Sequence, residues 1–208
     1  MGRVVDAIRL GLDSEQRANA LVVEEEFGRA GFAPEIAAAA IANAWAESRL
    51  RTFARSRSPE DSAGLFQLNA RGAGADMPKG AQYPGGDSRF DPVLNTRRII
   101  REIRETSFGR RFLAQVPHAQ GDVGSLAALF CQYIERPKDD FGEKALSRGE
   151  LARTMFPEGV GRPLPSSTLV ARVPASGANV AYALLFLTVA TTVASVAARD
   201  RQIRLAAT

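Results

Sequence analysis

Apolar and polar positions along this chain recur mostly at helical spacing, and strand alternation is confined to short pieces near Gly64 to Leu68. The densest block is PEIAAAAIANAWAES, from Pro34 to Ser48. Pro34 suits the first helical position, where its missing N–H costs nothing. The alanine run behind it has the highest helix propensity. Ile36, Ala40, Asn43 and Glu47 share one face, and Ile41, Trp45 and Ser48 make the neighbouring stripe. No charge interrupts Ile36 to Ala46, which predicts a helix buried on most sides. Glu47 then stands as a carboxyl at the tip of an apolar helix. Lost hydration raises a carboxyl pKa in such a setting, and a general acid near neutral pH needs that. The competing expectation is a solvated or salt-bridged helix end beside Arg49 and Arg51.

Helical spacing extends to both sides. Met1 to Leu12 aligns Val4, Val5, Ile8 and Leu12, and Asp13 or Ser14 caps a helix from Glu15 to Arg29. Asp91 and Pro92 open a helix over Val93 to Glu105, with Ile99, Ile100 and Ile103 inward and Arg97, Arg98, Arg101, Glu102, Arg104 and Glu105 on the wet side. Helices follow at Phe108 to Val116 and Ser125 to Ile134, and an amphipathic one at Lys144 to Met155. The acidic run Glu24 to Glu26 reads as a solvated face. The loop Arg49 to Ser62 carries Arg49, Arg51, Arg55 and Arg57, either as a solvated surface or as a rim attracting an anionic glycan. Gly72 to Ser88 is rich in glycine, proline and alanine and long enough to line a cleft. The predicted fold class is mainly α, with at most a small β element.

Composition narrows the chemistry. One cysteine excludes an intramolecular disulfide framework, and Cys131 sits in the apolar run LAALFCQYI, a core position. No His, Cys and carboxylate set has metal-ligand spacing, so neither a metal nor a cofactor is expected. A net charge of +4 suits an anionic polymer such as a bacterial cell wall. Nucleic acid is not an expected partner, because no basic stripe with interleaved aromatics is present.

AIANAWAESRL followed by SAGLFQLN resembles the lysozyme-like superfamily: soluble lytic transglycosylases, goose-type lysozymes and phage tail lysozymes. These share a helix ending in Glu-Ser and then a Gly-Leu-aromatic-or-Met-Gln turn, here Glu47-Ser48 and Gly64-Leu65-Phe66-Gln67. Phe90-Asp91-Pro92 with Asn95 is similar to the transglycosylase stretch that opens the next helix. Phe130, Tyr133 and Glu135-Arg136-Pro137 are similar to the aromatic-plus-ERP segment of phage tail lysozymes. The resemblance covers Leu21 to Pro157 and implies cleavage of the MurNAc-GlcNAc β-1,4 bond of peptidoglycan, with Glu47 as general acid. It implies Asp61 as the leading candidate for an auxiliary carboxylate, ahead of Asp76, Asp87 and Asp91, the last equally an N-cap. If none serves, the substrate's own N-acetyl group assists and the product is a 1,6-anhydro sugar. Substrate contacts are implied at Ser48, Gly64, Leu65, Phe66, Gln67, Asn69 and Tyr133. Gln67 is alternatively an amide that ties the turn, Ser48 a local hydrogen bonder, and Tyr133 a core aromatic. Glu135 is expected to pair with an arginine.

The C-terminal quarter changes character. Residues 1–156 read as the catalytic domain and 157–177 as a Pro/Ser/Gly-rich linker. Residues 178–198 carry no charge and are long enough to cross a bilayer, with a buried or docking helix as the alternative. The basic tail 199–208 places its own end on the inner side. The N-terminal MGRVVDAIRLGLDSEQ is not a secretory signal, since Arg3, Asp6 and Arg9 break any apolar core. Together these features predict a membrane-anchored bacteriophage virion enzyme, in the virion or host inner membrane, with virion structural proteins as possible neighbours. The alternative is a non-catalytic virion or membrane protein that uses the domain to bind wall.

Overall fold

Helix α2 (Pro34–Ser48) runs through the middle of the molecule and is buried along almost its whole length. The computed structural model describes residues 3–56, 61–136 and 141–160. The fold is mainly α, as predicted. Helix α1 (Ser14–Arg29) begins at Asp13, whose carboxylate accepts from the Gln16 N–H while the Gln16 side chain accepts from the Asp13 N–H. This reciprocal cap satisfies two otherwise orphaned donors. Helices α3 (Pro92–Glu105), α4 (Ser107–Gln115), α5 (Val123–Phe130) and α6 (Phe141–Met155) complete the bundle. Helices α1, α5 and α6 pack around α2, so its all-round apolar surface has partners on every side. At the α5–α6 crossing, a Cβ on Gly149 would lie 3.0 Å from the Gly124 carbonyl oxygen.

The one two-stranded sheet among the described residues pairs β1 (Ser62–Ala63) with β2 (Leu68–Asn69), antiparallel, Ser62 opposite Asn69. Its size matches the sequence expectation. Ile99, Ile100 and Ile103 of α3 face the core as predicted.

Four expectations are corrected. The helix expected over Met1 to Leu12 does not form in its described part, residues 3–12, where only a 3₁₀ turn is present, Val4–Ala7. The N–H groups of Val4 and Val5 go to the Glu24 carboxylate, both at 3.0 Å, and Arg9 N–H goes to the Met155 carbonyl at 2.9 Å. These long-range acceptors replace the helical ones. The acidic run is therefore a solvated face only at Glu25, which is exposed. Glu24 holds the N-terminal turn, and Glu26 is buried against Arg29 and Arg97. Glu102 is not on the wet side either; it is buried between Arg98 and Arg136. The basic loop is not a free rim in its described part. Arg51 pairs with Asp13 and Glu15, Arg55 pairs with Asp61, and Arg49 lies 5.5 Å from the Trp45 ring centre.

Most of the proposed linker, with the proposed membrane span and basic tail, lies in residues 161–208, outside the described residues. Among the described residues no helix is long and apolar enough to cross a membrane.

Candidate active site

The tip of α2 is fixed by local chemistry. Ser48 Oγ donates to the Ala44 carbonyl at 2.9 Å, so its hydroxyl is spent within the helix. Arg49 and Leu50 both adopt left-handed conformations at φ 56°, and the Arg49 N–H bonds the Trp45 carbonyl at 2.7 Å. Non-glycine residues rarely occupy this region. Here the buried Leu50 side chain and the Asn19 amide on its carbonyl, at 2.8 Å, hold the chain in it. Glu47 is consequently set on the last turn, with its side chain 26% exposed and in an ion pair with Arg148 of α6.

Arg148 joins two carboxyl groups. Its Nε lies 3.5 Å from Glu135 Oε2, and both side chains are nearly buried. Glu135 ends a π-helical turn, Cys131–Glu135, that continues α5 and stops at Arg136 in the left-handed region. Such widened turns are frequent at functional sites. Burial pushes the Glu135 carboxyl up to about 8, and the negative charge of Glu47 adds to the rise. Arg148 and the Cys131 thiol oppose it without cancelling it. Burial and the neighbouring Glu135 push the Cys131 thiol up to about 12, consistent with a core cysteine and not a nucleophile. Glu135 Oε1 and Arg148 Nε are both buried without a hydrogen-bond partner.

A cleft of about 620 Å³ opens beside this cluster. Its walls are the hairpin segment 66–69, the turn 71–73, Ile99 of α3, and the segment 134–136. Glu135 lines this cleft; neither Glu47 nor its partner Arg148 is part of its wall. A smaller hollow of about 300 Å³ adjoins at Arg136 and is lined by Phe108, Arg111, Gln132 and Tyr133.

Of the residues predicted to contact substrate, Phe66, Gln67 and Asn69 line the larger cleft and Tyr133 the smaller hollow. The others serve the fold. Leu65 is fully buried in the core. Gly64, at φ 80°, permits close approach to its own chain: a Cβ would fall 2.0 Å from the Arg89 carbonyl oxygen and 2.3 Å from Asn95 Nδ2. Gln67 ties the turn, donating to the Ala54 and Gly64 carbonyls, each at 3.0 Å. Asn69 accepts from the Arg71 N–H at 2.7 Å. Asn95 staples the hairpin to α3, accepting from the Phe66 N–H at 3.1 Å and donating to the Arg89 carbonyl at 2.9 Å.

The aspartates considered for a second role are all engaged. Asp61 is ion-paired with Arg55 at 2.7 Å and with the buried Arg89 at 3.2 Å. The Arg55 hydrogen bond, seconded by Arg89, holds its carboxyl below the usual range. Asp76 pairs with Arg98 and Arg101, and Asp87 with Arg89. Asp91 caps α3 through the Val93 and Leu94 N–H groups. Sequence reasoning assigned Glu135 only an arginine partner, which it has, and did not single out Arg148. The signal for Glu135 was its place in the ERP segment; Arg148 had none, because only the α5–α6 crossing brings it there. Among the described residues no group of three His, Cys, Asp or Glu side chains gathers where a metal ion could sit. No protein-family model matches this chain, and neither a curated protein nor a solved structure matches it.

Proposed function

We propose that this protein is a peptidoglycan-degrading glycosidase of the lysozyme-like kind, a muramidase or lytic transglycosylase that cuts the MurNAc-GlcNAc β-1,4 bond and needs Glu47. The observation that carries this reading is the carboxyl at the tip of a buried apolar helix, joined through Arg148 to a second carboxyl in a cleft wall. Glycoside cleavage calls for an acid to protonate the leaving oxygen and for stabilisation of a cationic sugar. A carboxyl kept from bulk water beside a groove suits the first demand. Because Asp61, Asp76, Asp87 and Asp91 are all engaged by arginines or a helix end, none of them is poised to activate water. That favours assistance by the substrate's N-acetyl group and an anhydro product. The uncharged stretch 178–198 and its basic flank support anchorage of the enzyme in a virion or host membrane, facing the wall.

The test is incubation of the full chain with purified peptidoglycan at neutral pH, followed by mass spectrometry of the released muropeptides. Wild type is expected to release disaccharide peptides ending in 1,6-anhydro sugar, and Glu47→Gln to release none. Equal release by both removes Glu47 from the mechanism. Binding without release by wild type supports the alternative, a wall-binding domain of a virion or membrane protein.

A further inference from the structure

We propose that the hollow at Arg136 is a binding subsite for a carboxylate of the peptide stem that peptidoglycan carries on its MurNAc sugars. The inference rests on the peptidoglycan reading above and deepens it, by naming the part of the polymer that this surface takes.

The hollow is built around one aromatic ring. Phe108, on the first turn of α4, is 38% exposed. The Arg136 guanidinium lies 4.5 Å from its ring centre and the Arg111 guanidinium 5.9 Å. Stacking engages the face of a guanidinium and leaves its N–H fork free for a carboxylate. Arg136 gives one corner of that fork to the buried Glu102, at 3.1 Å, which fixes its orientation. Arg111 has no carboxylate partner among the described residues. Gln132 and Tyr133 complete the wall with an amide and a phenol, neither of which is bonded to another described side chain.

Local charge does not balance. Arg98 and Arg101 take Asp76, Arg98 and Arg136 take Glu102, and Arg111 takes neither. Glu135 lines the cleft and pairs with Arg148, and it is not part of the hollow. Two guanidiniums around one ring repel each other, and an anion held between them relieves that repulsion.

The glycan strand itself offers no such anion. The lactyl carboxyl of MurNAc is consumed in the amide to the stem, and the acetamido and hydroxyl groups are neutral. The stem carries free carboxylates. It leaves the sugar at O3, on the same ring as the C1–O4 bond to be cut. Arg136 lines both the cleft and the hollow, so a strand seated in the first passes its stem toward the second.

The experiment compares kcat/KM of the full chain on two uncrosslinked glycan strands free of phosphate polymers, one bearing stem peptides and one stripped of them by an amidase. Wild type is expected to favour the peptide-bearing strand about ten-fold, as one charge-assisted contact supplies. Arg111→Gln, at an exposed position, is expected to bring the ratio near unity, and Arg111→Lys to keep part of it. A merely structural Arg111 would lower both rates together and leave the ratio unchanged. Titration of free stem peptide into wild type and Arg111→Gln, followed by the amide NMR signals of Gln132 and Tyr133, reads the same contact without catalysis. Amidation of the stem carboxylates is expected to abolish it. Equal wild-type rates on both strands, or stem binding unchanged by Arg111→Gln or by amidation, overturns the inference and leaves the glycosidase reading standing. Wild type that cuts neither strand yet binds the stem through Arg111 removes the glycosidase reading and keeps the subsite. No cleavage and no binding removes both.

Discussion

Two buried polar clusters lie close to the cleft, and they are built on opposite rules. In the hairpin clamp, Arg89 is 1% exposed and fully occupied. It donates to Asp87 and Asp61 carboxylates and to the Leu68 carbonyl, at 3.1 Å for the last. Asn95 beside it is saturated by Phe66, Ala63 and Arg89 backbone groups. In the carboxyl cluster, Arg148 is shared by Glu47 and Glu135, and two buried polar atoms there lack partners. A satisfied buried network fixes one conformation, whereas an incompletely satisfied one carries a desolvation cost with no structural return. Such costs are most often retained where chemistry needs them.

The comparison breaks if the clamp proves dispensable. Arg89→Met strands the Asp87 carboxylate and is expected to cost about 3–5 kcal/mol, read as a lower denaturation midpoint. Gly64→Ala forces a Cβ onto the Arg89 carbonyl in a left-handed conformation and is expected to cost about 3 kcal/mol by the same measurement. Asn95→Ala orphans buried backbone groups and is expected to cost about 2 kcal/mol, with early exchange of the Phe66 amide.

The carboxyl cluster predicts a different signature. Glu135 has its pKa raised from 4.5 to about 8 by burial and by Glu47. Between those values the native state binds more protons than the unfolded chain, so this group makes stability fall as pH rises. Below the window both states are protonated, so the stability is fully present and does not change with pH. Glu135→Gln is expected to flatten that fall in chemical melts run from pH 4.5 to about 8. A slope unchanged in the variant locates the pH dependence elsewhere. The smallest effect is expected at the exposed Arg55–Asp61 pair, where Arg55→Ala should leave the melt within scatter, because solvent screens it and Asp61 keeps Arg89.

The main errors of sequence reasoning came from charge. Glu24, Glu26 and Glu102 each sit on an amphipathic helix and read as wet, yet all three hold partners distant in the chain. Val4 and Val5 reach Glu24, Arg97 reaches Glu26, and Arg136 reaches Glu102. Periodicity reports which face is apolar; it does not report that an arginine will arrive to accompany a carboxylate inward. Gln67 and Gly64 were legible as special, and the reason for it was not: both answer to neighbours supplied by residue 54 and by the residues before α3.

The local rules alone determined the helices. Proline at the head of α2, the Asp13 and Asp91 caps, and the alanine and isoleucine spacing act within a few residues, so they can be read along the chain. They also determined that a carboxyl would end an apolar helix. Which carboxyl faces the cleft was decided only by tertiary structure. That outcome depends on the close α5–α6 crossing, which sets Arg148 between Glu47 and Glu135, and on a π turn that carries Glu135 into the wall. Proton affinity follows from what surrounds a group in space, and no spacing along the chain encodes that.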